Sequence, residues 1–218
     1  VLEKRNGPLF ALEKSKKGGA VLGDLPPSPT PLIGQIEIET CEIPEVRFIR
    51  PMQHRDSRGY FSEAYNKRAF AAAGIKDEFV QDNQSFSDQA GTIRGFHFQK
   101  LPHAQAKLVR VIAGRIMDYA LDLRRYSPSY GHCVVRELSA EDLSQMYIPV
   151  GFAHAFCTLE PKTQVIYKVT SFYAPHAEAG VIWSDPDLHI HWPVPRSRII
   201  CSGKDAQLPK LRDLDSAF

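Results

Sequence analysis

The sequence predicts an all-β fold, an antiparallel barrel or jelly roll with few short helices, and three observations carry that prediction. From "EVRFIRPMQHRDSRGYFSEAYN" onward, short segments of alternating apolar and polar residues dominate. Gly, Pro, Ser and Asp separate these segments and no internal repeat is found, which suits a sandwich or barrel. With 218 residues, 43% of them hydrophobic, the chain can bury one sizeable core, whereas two full domains would be cramped.

Taken in order, residues 1–40 mix charge with breakers, as in "EKSKKGGAVLGDLPPSPTPLIG". They are expected to form a flexible or loosely docked N-terminal extension ahead of a single domain over residues 41–218. "NKRAFAAAG", residues 66–74, reads as a helix closed by Gly74. Residues 107–124, "KLVRVIAGRIMDYALDLR", form two alternating runs that meet at Ala113-Gly114, a hairpin signal. Further strands are expected in "HCVVREL", "QMYIPV", "HAFCTLE" and "TQVIYKVTSFYA".

Composition excludes several function classes. A formal charge of +2 lacks the basic excess of a nucleic-acid binder, so phosphate recognition should be local. Four separated cysteines (Cys41, Cys133, Cys157, Cys201) offer no C-x-x-C pair, and are expected as reduced, packed thiols. No apolar run approaches the roughly 20 residues of a membrane helix, and no signal-peptide pattern is visible. A protein that neither enters a membrane nor is secreted is the expectation.

A closed β fold fills its interior with one face of each strand, so polar residues on that face are informative. In "TIRGFHFQ", period two puts Arg94, Phe96 and Phe98 on one face and Gly95, His97 and Gln99 on the other, unless the glycine marks a bulge. Lys107 shares a face with Val109 and Val111, Asp118 with Ala120 and Asp122, and Tyr167 with Val165 and Val169. Should the faces bearing His97, Lys107, Asp118 and Tyr167 all turn inward, they enclose a base, a cation, a carboxylate and a phenol. Each also has a structural explanation: a satisfied core histidine, a strand-end lysine, an ion-paired aspartate, a core tyrosine.

The stretches "DSRGYFSEAYN", "FVQDNQSFS", "TIRGFHFQ", "AQAKLVRVIAGRIMDYALDLRRYSPSYG", "LSAEDLSQMYIPVGFAHAFCTLE", "YKVTSFYAP" and "IWSDPDLHIHWP" together resemble the dTDP-4-dehydrorhamnose 3,5-epimerase family, in matching order and spacing from residue 47 to about 210. The resemblance implies a cupin-like jelly roll (double-stranded β-helix), a homodimer with strand and substrate-site exchange, and a cytoplasmic setting in dTDP-L-rhamnose synthesis. It implies inversion of C3 and C5 of a dTDP-linked 4-keto-6-deoxy sugar without metal, nicotinamide or other cofactor.

The chemistry suits the residues. Removing a proton alpha to a ketone requires a base and a group that stabilises the enolate oxygen, and inversion requires an acid on the other face of the ring. By resemblance the base is His97, oriented by Asp205 of "SGKDAQLP", the enolate stabiliser is Lys107, and the acid is Tyr167, whose ordinary pKa of about 10 keeps it protonated. The same resemblance maps Arg58 and Arg94 to the diphosphate. Glu63, Gln81 and Asn83 map to the nucleoside and sugar-phosphate, His154 to the sugar, and Tyr173 and Glu178 to the rim. Arg58 and Glu63 are expected from the partner subunit. Asp118 is expected to support Lys107 or His154, or to be structural.

Two departures from the family pattern are the leader of roughly 40 residues and Ala106, where glycine is more usual. Other readings are a single-carbon epimerase or related isomerase on another nucleotide-linked keto sugar, and a non-catalytic sugar-binding jelly roll. A metal-dependent cupin oxygenase would use His97, His103 and His154, but it lacks the tight H-x-H and following carboxylate of the first metal motif.

Overall fold

The computed structural model describes residues 36–215 and residue 218. Two antiparallel sheets pack face to face. The first has six strands in the order β1 (Ile36–Thr40), β2 (Arg47–Pro51), β10 (Gln145–Ile148), β7 (Lys107–Ala113), β12 (Thr163–Val169), β5 (Gln81–Ser87). The second has five: β13 (Glu178–Gly180), β6 (Ile93–Gln99), β11 (Phe152–Thr158), β8 (Arg115–Asp122), β9 (Cys133–Ser139). A separate hairpin pairs β3 (His54–Asp56) with β4 (Gly59–Phe61). This is the jelly roll that the alternating segments predict.

Period two sorts each strand between layers. Val109, Val111 and Val165 of the first sheet meet Ile116, Ala120, Phe152 and Phe156 of the second in the central core. The second sheet's other face carries Phe96, Phe98, Tyr119, Leu121, Ala153 and Ala155, covered by C-terminal residues such as Trp183, Trp192 and Leu211. Behind the first sheet, Ile49, Leu108 and Tyr147 pack on Phe70 of the helix α1 (Lys67–Ala72). Asn66 caps α1 by accepting the N–H groups of Arg68 and Ala69, and Gly74 leaves it at φ +92°. No helix among the described residues is long and apolar enough to cross a membrane.

Two expectations need correction. Residues 36–40, assigned to the extension, form the edge strand β1, paired with β2 from Ile36↔Pro51 to Thr40↔Arg47. Their alternation of Ile36 and Ile38 with Glu37 and Glu39 explains why, and the rest of the expected extension lies outside the described residues. The run over residues 107–124 is not a hairpin. β7 pairs with β10 and β12, whereas β8 pairs with β9 and β11. Gly114, at φ +78° and packed against Thr163, is the corner where the chain passes from one sheet to the other.

β6 is where the fold prepares the site. Against β11, His97 pairs with His154 and Arg94 with Phe156, so three steps of β6 match two of β11. The extra residue is a bulge at Gly95 and Phe96. It brings Arg94 and His97 to one side, while Phe96 and Phe98 go to the outer core. Gly95 sits at φ +112°, and a β-carbon there would collide with the His154 carbonyl oxygen and lie 2.7 Å from the Ala155 α-carbon. Gly95→Ala is therefore expected to cost about 2 kcal/mol or more, through left-handed strain and collision. Denaturant unfolding measures this, and an unchanged midpoint would show that the bulge needs no glycine.

Candidate active site

A cavity of about 570 Å³ opens at one end of the sandwich. β6 and β11 supply Arg94, His97, His154 and Phe156 from one sheet; β5, β7 and β12 supply Gln81, Asn83, Lys107 and Tyr167 from the other. Glu178 of β13, Tyr173, and Lys204 and Asp205 of a C-terminal arm complete the wall. The arm is fixed to the start of β6 by hydrogen bonds from Ile93 N to Ile200 O (2.8 Å) and from Ile200 N to Gly91 O (3.0 Å).

The arm delivers Asp205 to His97. Oδ1 lies 2.8 Å from His97 Nε2, and Oδ2 accepts the Gly95 N–H at 3.2 Å. A carboxylate only accepts, so Nε2 carries the proton and Nδ1 keeps a lone pair. Burial raises the Asp205 pKa, but the bonds from His97 and Gly95 outweigh it and hold the carboxyl below its usual range. The His97 side chain is 32% exposed, open to the cavity and to solvent.

Across from this pair, Lys107 is 7% exposed, and its Nζ donates to the His97 carbonyl at 3.1 Å. Burial depresses its pKa to about 8 despite the pull of Asp118 and Glu178. The Tyr167 ring lies 5.9 Å from Lys107 Nζ and 6.2 Å from the His154 ring, and burial raises the phenol's pKa, so it is a neutral O–H at neutral pH. Beside them His154 Nε2 contacts Asp118 Oδ1 at 2.7 Å, making a second histidine–carboxylate pair with both members buried. Burial raises Asp118 and lowers His154.

The rim is a linked set. Gln81 donates to Asn83 at 2.8 Å and accepts the Tyr173 N–H at 3.1 Å. Tyr173 Oη donates to Glu178 at 2.8 Å, and Lys204 Nζ lies 2.7 Å from Glu178, which lowers the Glu178 pKa. Arg94 is braced by β5, donating to Phe86 O (2.8 Å) and Ser87 Oγ (3.3 Å).

Thus ten of the sequence-predicted residues line the cavity: His97, Asp205, Tyr167, Lys107, Gln81, Asn83, Arg94, His154, Tyr173 and Glu178. Asp118 stands directly behind His154. Arg58 and Glu63 do not join them within one chain: Arg58 is exposed in the β3–β4 turn against Asp56, and Glu63 bonds Asn66. Sequence reasoning missed Lys204, Ser85 and Gln105. Lys204 adjoins Asp205, and Ser85 continues the Gln81, Asn83 alternation, so both had a local signal. The three imidazoles of the metal reading do not converge: His97 and His154 are cross-strand neighbours, but His103 does not join them. His97 and His154 are each held by a carboxylate, His103 stacks edge-on with His176, and no group of three or more potential ligands is found among the described residues.

Known proteins share this chain's sequence pattern and fold. Residues 40–213 match the family model described as dTDP-4-dehydrorhamnose 3,5-epimerase. The chain is 44% identical over 175 residues to the dTDP-4-dehydrorhamnose 3,5-epimerase of Shigella flexneri, covering 80% of this chain and 95% of that one. The Bacillus anthracis enzyme of the same name, solved with TDP and PPi bound, superposes with a TM-score of 0.78 at 43% identity, covering 81% of this chain and 99% of that one. A Legionella pneumophila dTDP-6-deoxy-D-glucose-3,5-epimerase, in complex with dTDP-4-keto-L-rhamnose, gives a TM-score of 0.79 at 40% identity, with 83% and 95% covered.

Proposed function

The chain belongs to the dTDP-4-dehydrorhamnose 3,5-epimerase family, and from that membership and the cavity's side chains we propose how it works. It is an isomerase that inverts C3 and C5 of dTDP-4-dehydro-6-deoxy-D-glucose. The single observation that carries the mechanism is the opposition of His97 and Tyr167, which stand on facing sheets and line the same cavity.

His97 Nδ1 takes the proton alpha to the C4 ketone, and Asp205 stabilises the imidazolium that forms. The electron pair moves into an enolate whose oxygen is met by the Lys107 ammonium. Tyr167 then delivers its hydroxyl proton to the carbon from the other face, which inverts it, and the phenolate is reprotonated from solvent. The His97 proton leaves to solvent likewise, and the cycle repeats at the second carbon. Arg94 binds the diphosphate; His154, Tyr173, Glu178, Gln81 and Asn83 hold the sugar and nucleoside. A reducing compartment such as the cytoplasm suits four unpaired thiols.

The active unit in this reading is a homodimer. The β3–β4 hairpin forms its own small sheet, and Phe61 is 71% exposed. Arg58 of that hairpin and the nearby Glu63 complete the partner's pocket. Co-expressing Arg58→Ala with His97→Ala subunits tests this, because each mixed dimer regains one intact site. About a quarter of the parental activity is expected from two variants that are inactive alone. Activity no higher than the sum of the two variants would confine Arg58 to its own chain.

Tyr167→Phe removes only the hydroxyl. NMR in deuterated water should show label entering with retention, since His97 can return the proton it takes, while inversion falls about 10²- to 10⁴-fold. Parental inversion of both carbons would make Tyr167 a core aromatic, and exchange at one carbon in the parent enzyme would make it a single-carbon epimerase.

Lys107 sets the alkaline limit. Its ammonium is present at neutral pH and is lost as pH rises through about 8, so kcat should fall above that pH. Lys107→Arg, whose cation does not titrate, should keep a lower activity without that limb. A parental kcat flat to about pH 10 would remove Lys107 from the enolate.

A further inference from the structure

The β3–β4 hairpin leads into residues 62–66, and a buried glutamine holds that segment on the far side of a sheet from its own cavity. β10 alternates between layers: Met146 and Ile148 enter the central core, whereas Gln145 shares with Tyr147 the face turned to the back of the first sheet, where Ile49 and Leu108 also lie. Lys107 and Tyr167 are on that sheet's other face, toward the cavity. Gln145 is 1% exposed; its Nε2 donates to the Ala64 carbonyl at 2.7 Å, while Oε1 is buried with no hydrogen-bond partner among the described residues. An amide satisfied at one end only is costly in a position that would suit an aliphatic side chain. What it does hold is the backbone next to Glu63. Every residue of β3 and β4 is exposed, so the hairpin has little of its own to fix its direction, and the Ala64 bond is a buried tie on its outgoing end. Beyond the tie, Tyr65 packs edge-on against Phe70 at 5.0 Å and Phe79 at 5.6 Å, and Asn66 both caps α1 and donates to Glu63 Oε1 at 2.8 Å.

We propose that Gln145 is a positioning residue that acts across the dimer: it anchors the segment that carries Arg58 and Glu63 into the partner's cavity, and so governs substrate binding in a site other than its own. The first sheet lies between the anchor and the chain's own cavity, which leaves the other copy's cavity as the one this segment serves. Glu63 Oε2, buried and without a hydrogen-bond partner among the described residues, is an acceptor held ready on that segment. A misplacement of about 1 Å in a substrate-holding group costs up to about 10²-fold, so one hydrogen bond at the root of the segment is enough to matter.

The proposal rests on the two-chain site inferred above, and the test separates the two. Gln145→Met keeps the side chain's length and removes the donor. Its kcat/KM should fall about tenfold, carried by KM, because His97, Lys107 and Tyr167 are untouched. Co-expression in equal amounts with His97→Ala chains locates the effect. With the anchor serving the partner, each mixed dimer holds one cavity that has both His97 and an anchored segment, and about a quarter of the parental kcat/KM returns. With Gln145 acting inside its own chain no cavity is intact, and only about a twentieth remains. That result overturns the proposal, as does an unchanged KM in Gln145→Met alone. The Arg58→Ala and His97→Ala mixture is the control: no recovery there defeats the two-chain site itself, and recovery there without recovery here defeats the role of Gln145 alone. Should Gln145→Met not assemble, Gln145→Asn, which keeps the amide and draws it back by one carbon, takes its place in the mixture. Failure of both variants to form dimers would make Gln145 a structural residue and overturn the proposal.

Discussion

One carboxylate, Asp205, sets the geometry on which the site depends. Its two oxygens hold His97 Nε2 and the Gly95 N–H, so the imidazole and the bulge that presents it share one partner 108 residues downstream. Without the bulge, Arg94 would share a face with Phe96 and Phe98 instead of with His97. Without the arm, the imidazole would have no fixed tautomer. The local distortion of β6 and the long return of the C-terminal arm are thus two halves of one device, which explains why the arm is hydrogen-bonded at Gly91 and Ile93 on its way in.

The cavity's ionisable groups act on stability with opposite signs. Asp205 is held below its usual range, so its contribution is present above the unfolded carboxylate pKa of about 4 and is lost as pH falls through the folded value. Lys107 runs the other way: its folded pKa of about 8 lies below the unfolded 10.5, so the chain bears its full desolvation cost at neutral pH and sheds it as pH rises between those values. Asp118, raised by burial, likewise costs stability once ionised. A sandwich selected for stability alone would fill these positions with aliphatic side chains. The conflict between local burial and charge is therefore itself a sign of chemistry at this end of the core.

Much of this was legible in the residues. Alternation found β7 through β12, and the cap at Asn66 with Gly74 beyond bounded α1. Period two also grouped Lys107, Asp118 and Tyr167 with the apolar residues that the fold turns inward. It failed where chemistry matters most, because a bulge adds one residue and inverts the faces on either side of it; Gly95 was the warning. The corner at Gly114 failed for a related reason, since two alternating runs joined by a glycine look alike whether the second pairs with the first or crosses to another sheet. The His97–Asp205 contact had no local signal at all. Family resemblance supplied it, as it supplied Arg58 and Glu63, which one chain leaves outside its own cavity.

The two histidine–carboxylate pairs look alike chemically and differ in exposure, and exposure decides what each can do. Inverting two carbons requires the base to release its proton and the acid to recover one, twice per substrate. His97, 32% exposed, can exchange with water between steps. His154, 6% exposed and backed by a fully buried Asp118, has no such route. Burial also lowers its pKa and so disfavours the imidazolium that a base must become. In the proposed mechanism, therefore, the pair that the bulge turns toward the open cavity serves as the base, and the pair that the regular strand keeps in the core holds the sugar.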